Sequence, residues 1–125
     1  MWQNFIKWRE EQKVEDIIET YQYDEFDAVQ AVYPHGYHKT DKLGRPIYIE
    51  RFGIMDIEKL WTVTTRERIV RHYTQEYEKT MKIKFKVCSI VAGKNIQQGL
   101  TIIDMTGGGV STANSSTKEL FQLAA

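Results

Sequence analysis

Apolar residues recur every three or four positions along much of the chain, which is the spacing of amphipathic helices. The first dozen residues follow this pattern, with Trp2 and Phe5 set among polar neighbours. A second helical stretch covers residues 25–32 and must stop before Pro34, because the residue preceding a proline avoids helical backbone angles. These pieces predict the end of a small helical subdomain over residues 1–32.

The longest predicted helix begins at Thr64, where Thr64 and Glu67 have the Thr-x-x-Glu spacing of a capping box. Gly93 is a natural stop, since glycine readily adopts the left-handed angles that end a helix. A break in the helical turns is expected near residues 83–87. The predicted apolar stripe consists of Ile69, Tyr73, Tyr77, Met81, Phe85, Cys88 and Ala92, and the predicted polar side of Arg71, Glu78, Lys79, Lys82 and Lys86. At about 1.5 Å per residue, such a helix can support a whole sheet.

Two stretches have the composition of strands. Residues 46–52 are rich in β-branched and aromatic side chains, and residues 100–105 form the nearly continuous apolar run typical of a strand buried on both faces. The turn-rich passage at 33–45 predicts a hairpin or loop, closed by a tight turn at 41–44. A strand, a long helix and a second strand predict a βαβ unit with parallel strands, so the fold class is α/β.

The chain is expected to hold only part of its fold. Two strands with one crossover cannot bury both faces of a sheet. The first helix has no capping residue before Trp2, and a helix predicted from Thr117, after a polar loop at 111–116, is still running at Ala125. We therefore expect the fold to continue beyond this chain at both ends.

Composition narrows the function classes. The 125 residues are 42% hydrophobic and 27% charged, which is typical of one globular domain. Because 17 basic residues balance 17 acidic ones, the charge does not favour nucleic acid as a partner. The single cysteine, Cys88, cannot form an internal disulfide and favours a reducing compartment. No run of about 18 apolar residues occurs, so no membrane-spanning helix is expected. The expected protein is a cytoplasmic monomer without a cofactor.

Four motifs stand out along the chain: YPHGYHKTDKLGRPIY at 33–48, TTRER at 64–68, QEYE at 75–78 and TIIDMTG at 101–107. Together they resemble the Sec14-like (CRAL-TRIO) lipid-binding family, of the phosphatidylinositol/phosphatidylcholine transfer type. The resemblance keeps its order and spacing from Trp8 to Gly107, which scattered chance matches would not do.

The resemblance implies a mostly parallel sheet that floors an apolar pocket closed by a mobile helical gate. Residues 1–32 would end the N-terminal helical (CRAL-TRIO N) subdomain, and residues 33–125 would form the first part of the lipid-binding domain. The implied function is non-enzymatic phospholipid binding and transfer between membranes. The implied partners are phosphatidylcholine, phosphatidylinositol and a peripheral membrane surface, with transient association with Golgi or other endomembranes.

The resemblance also implies four lipid-binding residues. Phosphatidylcholine-binding members of the family contact the head group through tyrosines and small hydroxyl residues, and the matching positions here are Tyr37, Tyr48, Tyr77 and Thr101. Phenol rings can hold a quaternary ammonium by cation–π attraction, and hydroxyls can donate to the phosphate. Gly99 stands where those members have a serine. The family's phosphoinositol-binding residues match no position of this chain.

Three of these four residues can also be explained by structural roles without any lipid. Tyr77 lies on the predicted apolar stripe and can be core, Tyr48 can serve cross-strand packing, and the Thr101 hydroxyl can bond to the backbone. The glycines at 107–109 follow a strand, but Thr112 replaces the third glycine of a dinucleotide motif.

Other functions and sites are weighed against this interpretation. A lipid-sensing or membrane-recruitment module without transfer is the alternative function, and an α/β nucleotide-using enzyme is less favoured. Asp104 has no His or Cys partner placed for catalysis. The three histidines, His35, His38 and His72, lack metal-site spacing, so neither catalytic nor metal-binding residues are assigned.

Overall fold

The computed structural model describes residues 1–109 and 114–124. The predicted loop at 111–116 lies partly outside the described residues, and Thr112 and Ala125 lie wholly outside them. Within the described ranges, no helix is both long and apolar enough to cross a membrane.

Short helices precede the sheet. They are α1 (Trp2–Glu11), a 3₁₀ turn (Val14–Asp16), α2 (Ile17–Thr20) and α3 (Phe26–Val32). The predicted helix at the start of the chain is confirmed, and α3 ends two residues before Pro34, as the proline requires.

Within the described part of the chain, three strands form one sheet in the order β1 (His35–Thr40), β2 (Pro46–Glu50) and β3 (Leu100–Ile103). Strands β1 and β2 are antiparallel and joined by a tight turn, in which the Gly44 amide donates to the Asp41 carbonyl at 3.0 Å. The predicted hairpin is therefore confirmed. The sequence had indicated only two strands, because β1 contains a glycine and mostly polar residues and is recognisable only through its pairing with β2.

The chain crosses from β2 to β3 through helices, and these two strands are parallel. The helices are α4 (Ile57–Val63), α5 (Arg66–Lys79) and α6 (Phe85–Ala92), with a π-helical turn (Thr80–Lys84) between the last two. The predicted βαβ unit and the α/β class are thus confirmed. A final helix, α7, covers Ser115–Ala124.

Local capping signals account for most of the helix ends. The Asp56 carboxylate accepts from the Lys59 amide at 3.1 Å and caps α4. Gly93, with φ of +64°, ends α6. The predicted capping box is wrong by one residue, because Thr65 accepts from the Arg68 amide at 3.2 Å and is the N-cap of α5.

Thr64 has a different role in the core wall. Its side chain is buried, donates to Glu25 Oε1 at 3.0 Å and accepts from the Tyr23 hydroxyl at 3.1 Å. These two bonds tie the segment before α5 to the segment before α3. A buried hydroxyl with both partners satisfied is a tertiary anchor, and it leaves the capping of the helix to Thr65.

One hydrophobic core joins the early helices to the crossover helices. Its buried members are Val29, Tyr33, Phe52, Met55, Ile57, Leu60, Ile69 and Leu120. Residues of α3 therefore pack in the same core as residues of α4, α5 and α7. This core holds the N-terminal part of the long helix in place beside the sheet.

Strand β3 is less buried than its sequence predicts. Ile102 and Ile103 are 44% and 47% exposed, because β3 lies at the edge of the three-stranded sheet. The prediction of burial on both faces is therefore wrong for this chain. The predicted polar side of the long helix is also wrong at one position, since Glu78 is 9% exposed and its carboxylate pairs with Arg9 of α1 at 2.8 Å.

Candidate functional site

A groove of about 460 Å³ lies between the sheet and the long helix. This volume is within the range of pockets that hold small organic ligands. Its walls are formed by Tyr37, Pro46, Tyr48, Glu50, Tyr73, Glu76, Tyr77, Thr80, Met81, Phe85, Gly99, Leu100, Thr101 and Ile103. Tyr37, Tyr48, Tyr77 and Thr101, which were singled out from the sequence, all line it, and so does Gly99.

The sheet side of the groove carries a row of three side chains. Tyr37 on β1 is opposite Tyr48 on β2, which is opposite Thr101 on β3. Opposite residues in a sheet share one face, so the three side chains follow one another across the groove floor. The Tyr37 and Tyr48 rings lie 5.0 Å apart at 55°, which is a favourable tilted contact. Tyr48 thus serves cross-strand packing and also lines the groove.

The helix side presents the predicted apolar stripe to this groove. Tyr73, Tyr77, Met81 and Phe85 lie four residues apart and all line the wall. Tyr77 is 71% exposed and Met81 57%, so these side chains are not core. The prediction that Tyr77 packs in the core is therefore wrong. This part of the apolar stripe lines the groove and is exposed to solvent.

The walls combine aromatic surface with two carboxylates. Glu50 shares a strand face with Tyr48, and Glu76 lies one residue before Tyr77 on the helix. Burial raises the pKa of Glu76, but Lys79 and Lys84 beside it outweigh burial and leave this pKa below its usual range. Burial also raises the pKa values of Tyr37 and Tyr48, so both phenols stay neutral near neutral pH and their hydroxyls can donate hydrogen bonds.

Sequence reasoning missed part of this site. Glu76, Thr80 and Phe85 line the groove, and none of them was assigned to a site from the sequence. Thr80, at +3 from Tyr77, has the spacing of a neighbour on the same side of a helix. That spacing could have identified Thr80 once Tyr77 was placed in a groove.

The other residues weighed from the sequence do not line the groove. Gly107 borders a separate, smaller pocket of about 260 Å³. Asp104 pairs with Arg51 at 3.6 Å and accepts from the Thr106 amide at 2.9 Å, which is a structural role. His35 and His72 pack as rings 6.0 Å apart, and the described residues contain no group of three or more His, Cys, Asp or Glu that could hold a metal.

Comparisons with known proteins give a consistent set of relatives. The chain is 50% identical over 107 residues to the phosphatidylinositol/phosphatidylcholine transfer protein SFH9 of Arabidopsis thaliana. The aligned region covers 86% of this chain and 18% of the relative. It is 45% identical over 122 residues to SFH7 of the same plant, covering 98% and 22%. It is 43% identical over 109 residues to the Sec14 cytosolic factor of Schizosaccharomyces pombe, covering 87% and 38%.

These matches include nearly all of this chain but only part of each relative. The chain spans between 18% and 38% of the length of those three proteins. Their names describe two transfer proteins and a cytosolic factor. No protein-family model matches the chain.

Proposed function

We propose that this chain, which belongs to the Sec14-like family, supplies part of a phospholipid-binding site in a protein that carries phospholipids between membranes without chemical change. The observation that supports this most strongly is the groove, where the four residues implied by the family resemblance lie together. Nothing in the sequence alone requires residues from three strands and a helix to line one groove.

The proposal assigns different tasks to the two kinds of groove surface. Apolar side chains such as Met81, Phe85 and Leu100 would contact acyl chains, and each buried CH₂ group contributes about 0.8 kcal/mol. The rings of Tyr37, Tyr48 and Tyr77 would face a quaternary ammonium, with hydroxyls donating to phosphate. Acyl-chain burial thus supplies most of the affinity, and the polar residues select the head group.

The remaining assignments follow from this proposal. Residues 1–32 end the helical subdomain, and residues 33–125 begin the lipid-binding domain. The protein acts in the cytoplasm as a monomer and touches Golgi or other endomembranes transiently. Phosphatidylcholine is the ligand for which this chain carries matching positions, whereas phosphatidylinositol binding rests on other parts of the family fold.

Native mass spectrometry tests the proposal directly. The 125-residue chain and the full natural polypeptide that contains it would each be incubated with mixed phospholipid vesicles and then weighed. We expect one bound phospholipid on the full polypeptide and none on the chain alone, because the groove is open along the exposed β3 edge. Absence of lipid from both would contradict the proposal, and vesicle-to-vesicle transfer would separate a carrier from a lipid sensor.

Removing two hydroxyls should weaken head-group binding. In the full polypeptide, Tyr77→Phe combined with Thr101→Val keeps the shape of both side chains and removes their donors. At roughly 1 kcal/mol for each lost hydrogen bond, phosphatidylcholine affinity should fall about tenfold or more. Equilibrium binding of a fluorescent phosphatidylcholine measures this. Unchanged affinity would remove these two residues from the proposed site, and His38→Gln on the exposed part of β1 is the matched control.

Adding a hydroxyl at Gly99 should strengthen the same binding. Gly99 lines the groove, and a Cβ there would lie 3.4 Å from the Pro46 carbonyl oxygen, an ordinary contact. Gly99→Ser therefore fits and adds a donor for the lipid phosphate. One such bond is worth about 1 kcal/mol, so affinity should rise roughly fivefold. Gly99→Ala is the control for the added Cβ, and an equal response to alanine and serine would refute the role of the hydroxyl.

A further inference from the structure

The long helix changes its winding where it passes the groove. Its π-helical turn, Thr80–Lys84, separates α5 from α6. Such turns are rare, insert an extra residue into the helical repeat, and occur frequently at functional sites. The side chains that this turn places beside the groove show what it does.

The turn aligns Glu76 with Lys84, eight residues further along. In a regular α-helix these positions would point about 80° apart around the axis. Here Lys84 Nζ lies 3.2 Å from Glu76 Oε2, so the wider turn compensates for that rotation. Lys79 Nζ lies 2.9 Å from the other carboxylate oxygen. The two lysines keep Glu76 ionised, and Glu76 in turn holds the Lys84 ammonium in place.

Two residues of the turn contact Tyr37 across the groove. The Thr80 and Tyr37 hydroxyls are hydrogen-bonded at 2.8 Å, and Lys84 Nζ lies 4.4 Å from the centroid of the Tyr37 ring, a cation–π contact. Lys84 therefore contacts the Tyr37 ring but is not one of the residues that line the groove. Tyr37 is thus fixed at its hydroxyl by Thr80, on its ring by Lys84, and from the sheet by Tyr48.

We propose that Lys84, set in place by Glu76 and the π-helical turn, is a positioning residue that fixes Tyr37 in the groove wall and so determines affinity for a phosphocholine head group. The proposal rests on the proposed function of the groove. A wall residue that is already ordered has less side-chain freedom to lose when a ligand binds, so its contacts contribute more affinity. The effect acts on the head group alone, because acyl chains contact other residues.

The test uses the full natural polypeptide that contains this chain. Lys84→Met removes the charge and keeps an apolar stem, whereas Lys84→Arg keeps a cation that can stack on the ring. Lys86→Met removes a charge from an exposed position on the same helix and is the matched control. Each variant is titrated with fluorescent phosphatidylcholine and with diacylglycerol of identical acyl chains. The diacylglycerol lacks the phosphocholine group.

Lys84→Met should weaken phosphatidylcholine binding about fivefold, as expected for loss of a cation–π contact, and leave diacylglycerol binding unchanged. Lys84→Arg and Lys86→Met should bind both lipids like the original protein. Equal weakening for both lipids, or no weakening, would overturn the positioning role while lipid binding itself stands. Failure of the original protein to bind either lipid would overturn the proposed function, and this inference with it.

A second variant covers the case in which Lys84→Met does not fold. Thr80→Val retains the side-chain shape and removes the hydrogen bond to Tyr37. It should produce the same selective loss of phosphatidylcholine binding. A Thr80→Val protein that binds both lipids normally would show that fixation of Tyr37 by this turn does not matter for the head group.

Discussion

Replacing Gly53 with alanine should destabilise the chain by about 3 kcal/mol, the upper part of the usual range for overpacking. Gly53 follows β2, is buried, and donates its amide to the Asp104 carbonyl at 2.9 Å. A Cβ at this position would lie 2.4 Å from the Met105 carbonyl carbon and oxygen and from the Thr106 carbonyl oxygen. All three are backbone atoms, so no side-chain rotation can relieve the overlap.

The expected damage extends to the groove. The segment after β3 would have to move away from Gly53, and β3 carries Thr101 on the groove floor. Urea denaturation, monitored by circular dichroism, gives the free energy of unfolding for the chain and for each variant. Gly99→Ala is the matched control, because Gly99 is exposed and has space for a Cβ. If Gly53→Ala unfolds at the same urea concentration as the original chain, the backbone after β3 can move away from Gly53 at little cost.

Local sequence signals predicted the helix ends well and failed where two candidates were adjacent. Pro34, Asp56 and Gly93 act on their own backbone or its immediate neighbours, so their effects can be predicted from the sequence. Thr64 and Thr65 are equally good caps by local chemistry. The choice depends on Glu25 and on the Tyr23 hydroxyl, which bind Thr64 from about 40 residues away in sequence. Such contacts become visible only in the folded chain.

The groove shows a similar division. The residues proposed for lipid contact were identified through motifs shared with a family, because composition and periodicity did not separate Tyr77 from the core. The sequence predicted a break near residues 83–87, and the π-helical turn at Thr80–Lys84 overlaps that range only at residues 83–84. The expected break indicated neither the type of turn nor the side chains that the turn directs toward the groove. The orientation of Lys84 toward Tyr37 follows from that turn. Helix winding, rather than residue identity, was therefore the missing information.

Acidification from pH 6.5 to pH 4 should remove up to about 3 kcal/mol of stability through His72. Its ring is 5% exposed and stacks on Tyr23 at 4.5 Å, with Phe26, His35 and Tyr73 around it. Burial lowers the pKa of His72 from 6.5 to about 4, and the more distant charges of Glu76, Lys79 and Glu25 are lesser influences.

The sign follows from proton uptake. Between pH 6.5 and 4 the unfolded chain protonates this imidazole while the folded chain does not, so the folded state loses stability as the pH falls. His72→Phe keeps a ring against Tyr23 and removes the titrating group. It should reduce the slope of unfolding free energy against pH by up to about 1.4 kcal/mol per pH unit within that window.

The window from pH 5 to 6.5 isolates this effect from carboxylates. Arg68 lowers the pKa of Glu25 from 4.5 to about 2, so the stability from that pair is lost only as the pH falls below 4.5. Burial also lowers the pKa of His35, which leaves a residual slope in the His72→Phe variant. His38→Gln is the control, since His38 is exposed on β1. A slope that His72→Phe leaves unchanged would place the acid sensitivity elsewhere and show that the buried imidazole takes up its proton without unfolding the chain.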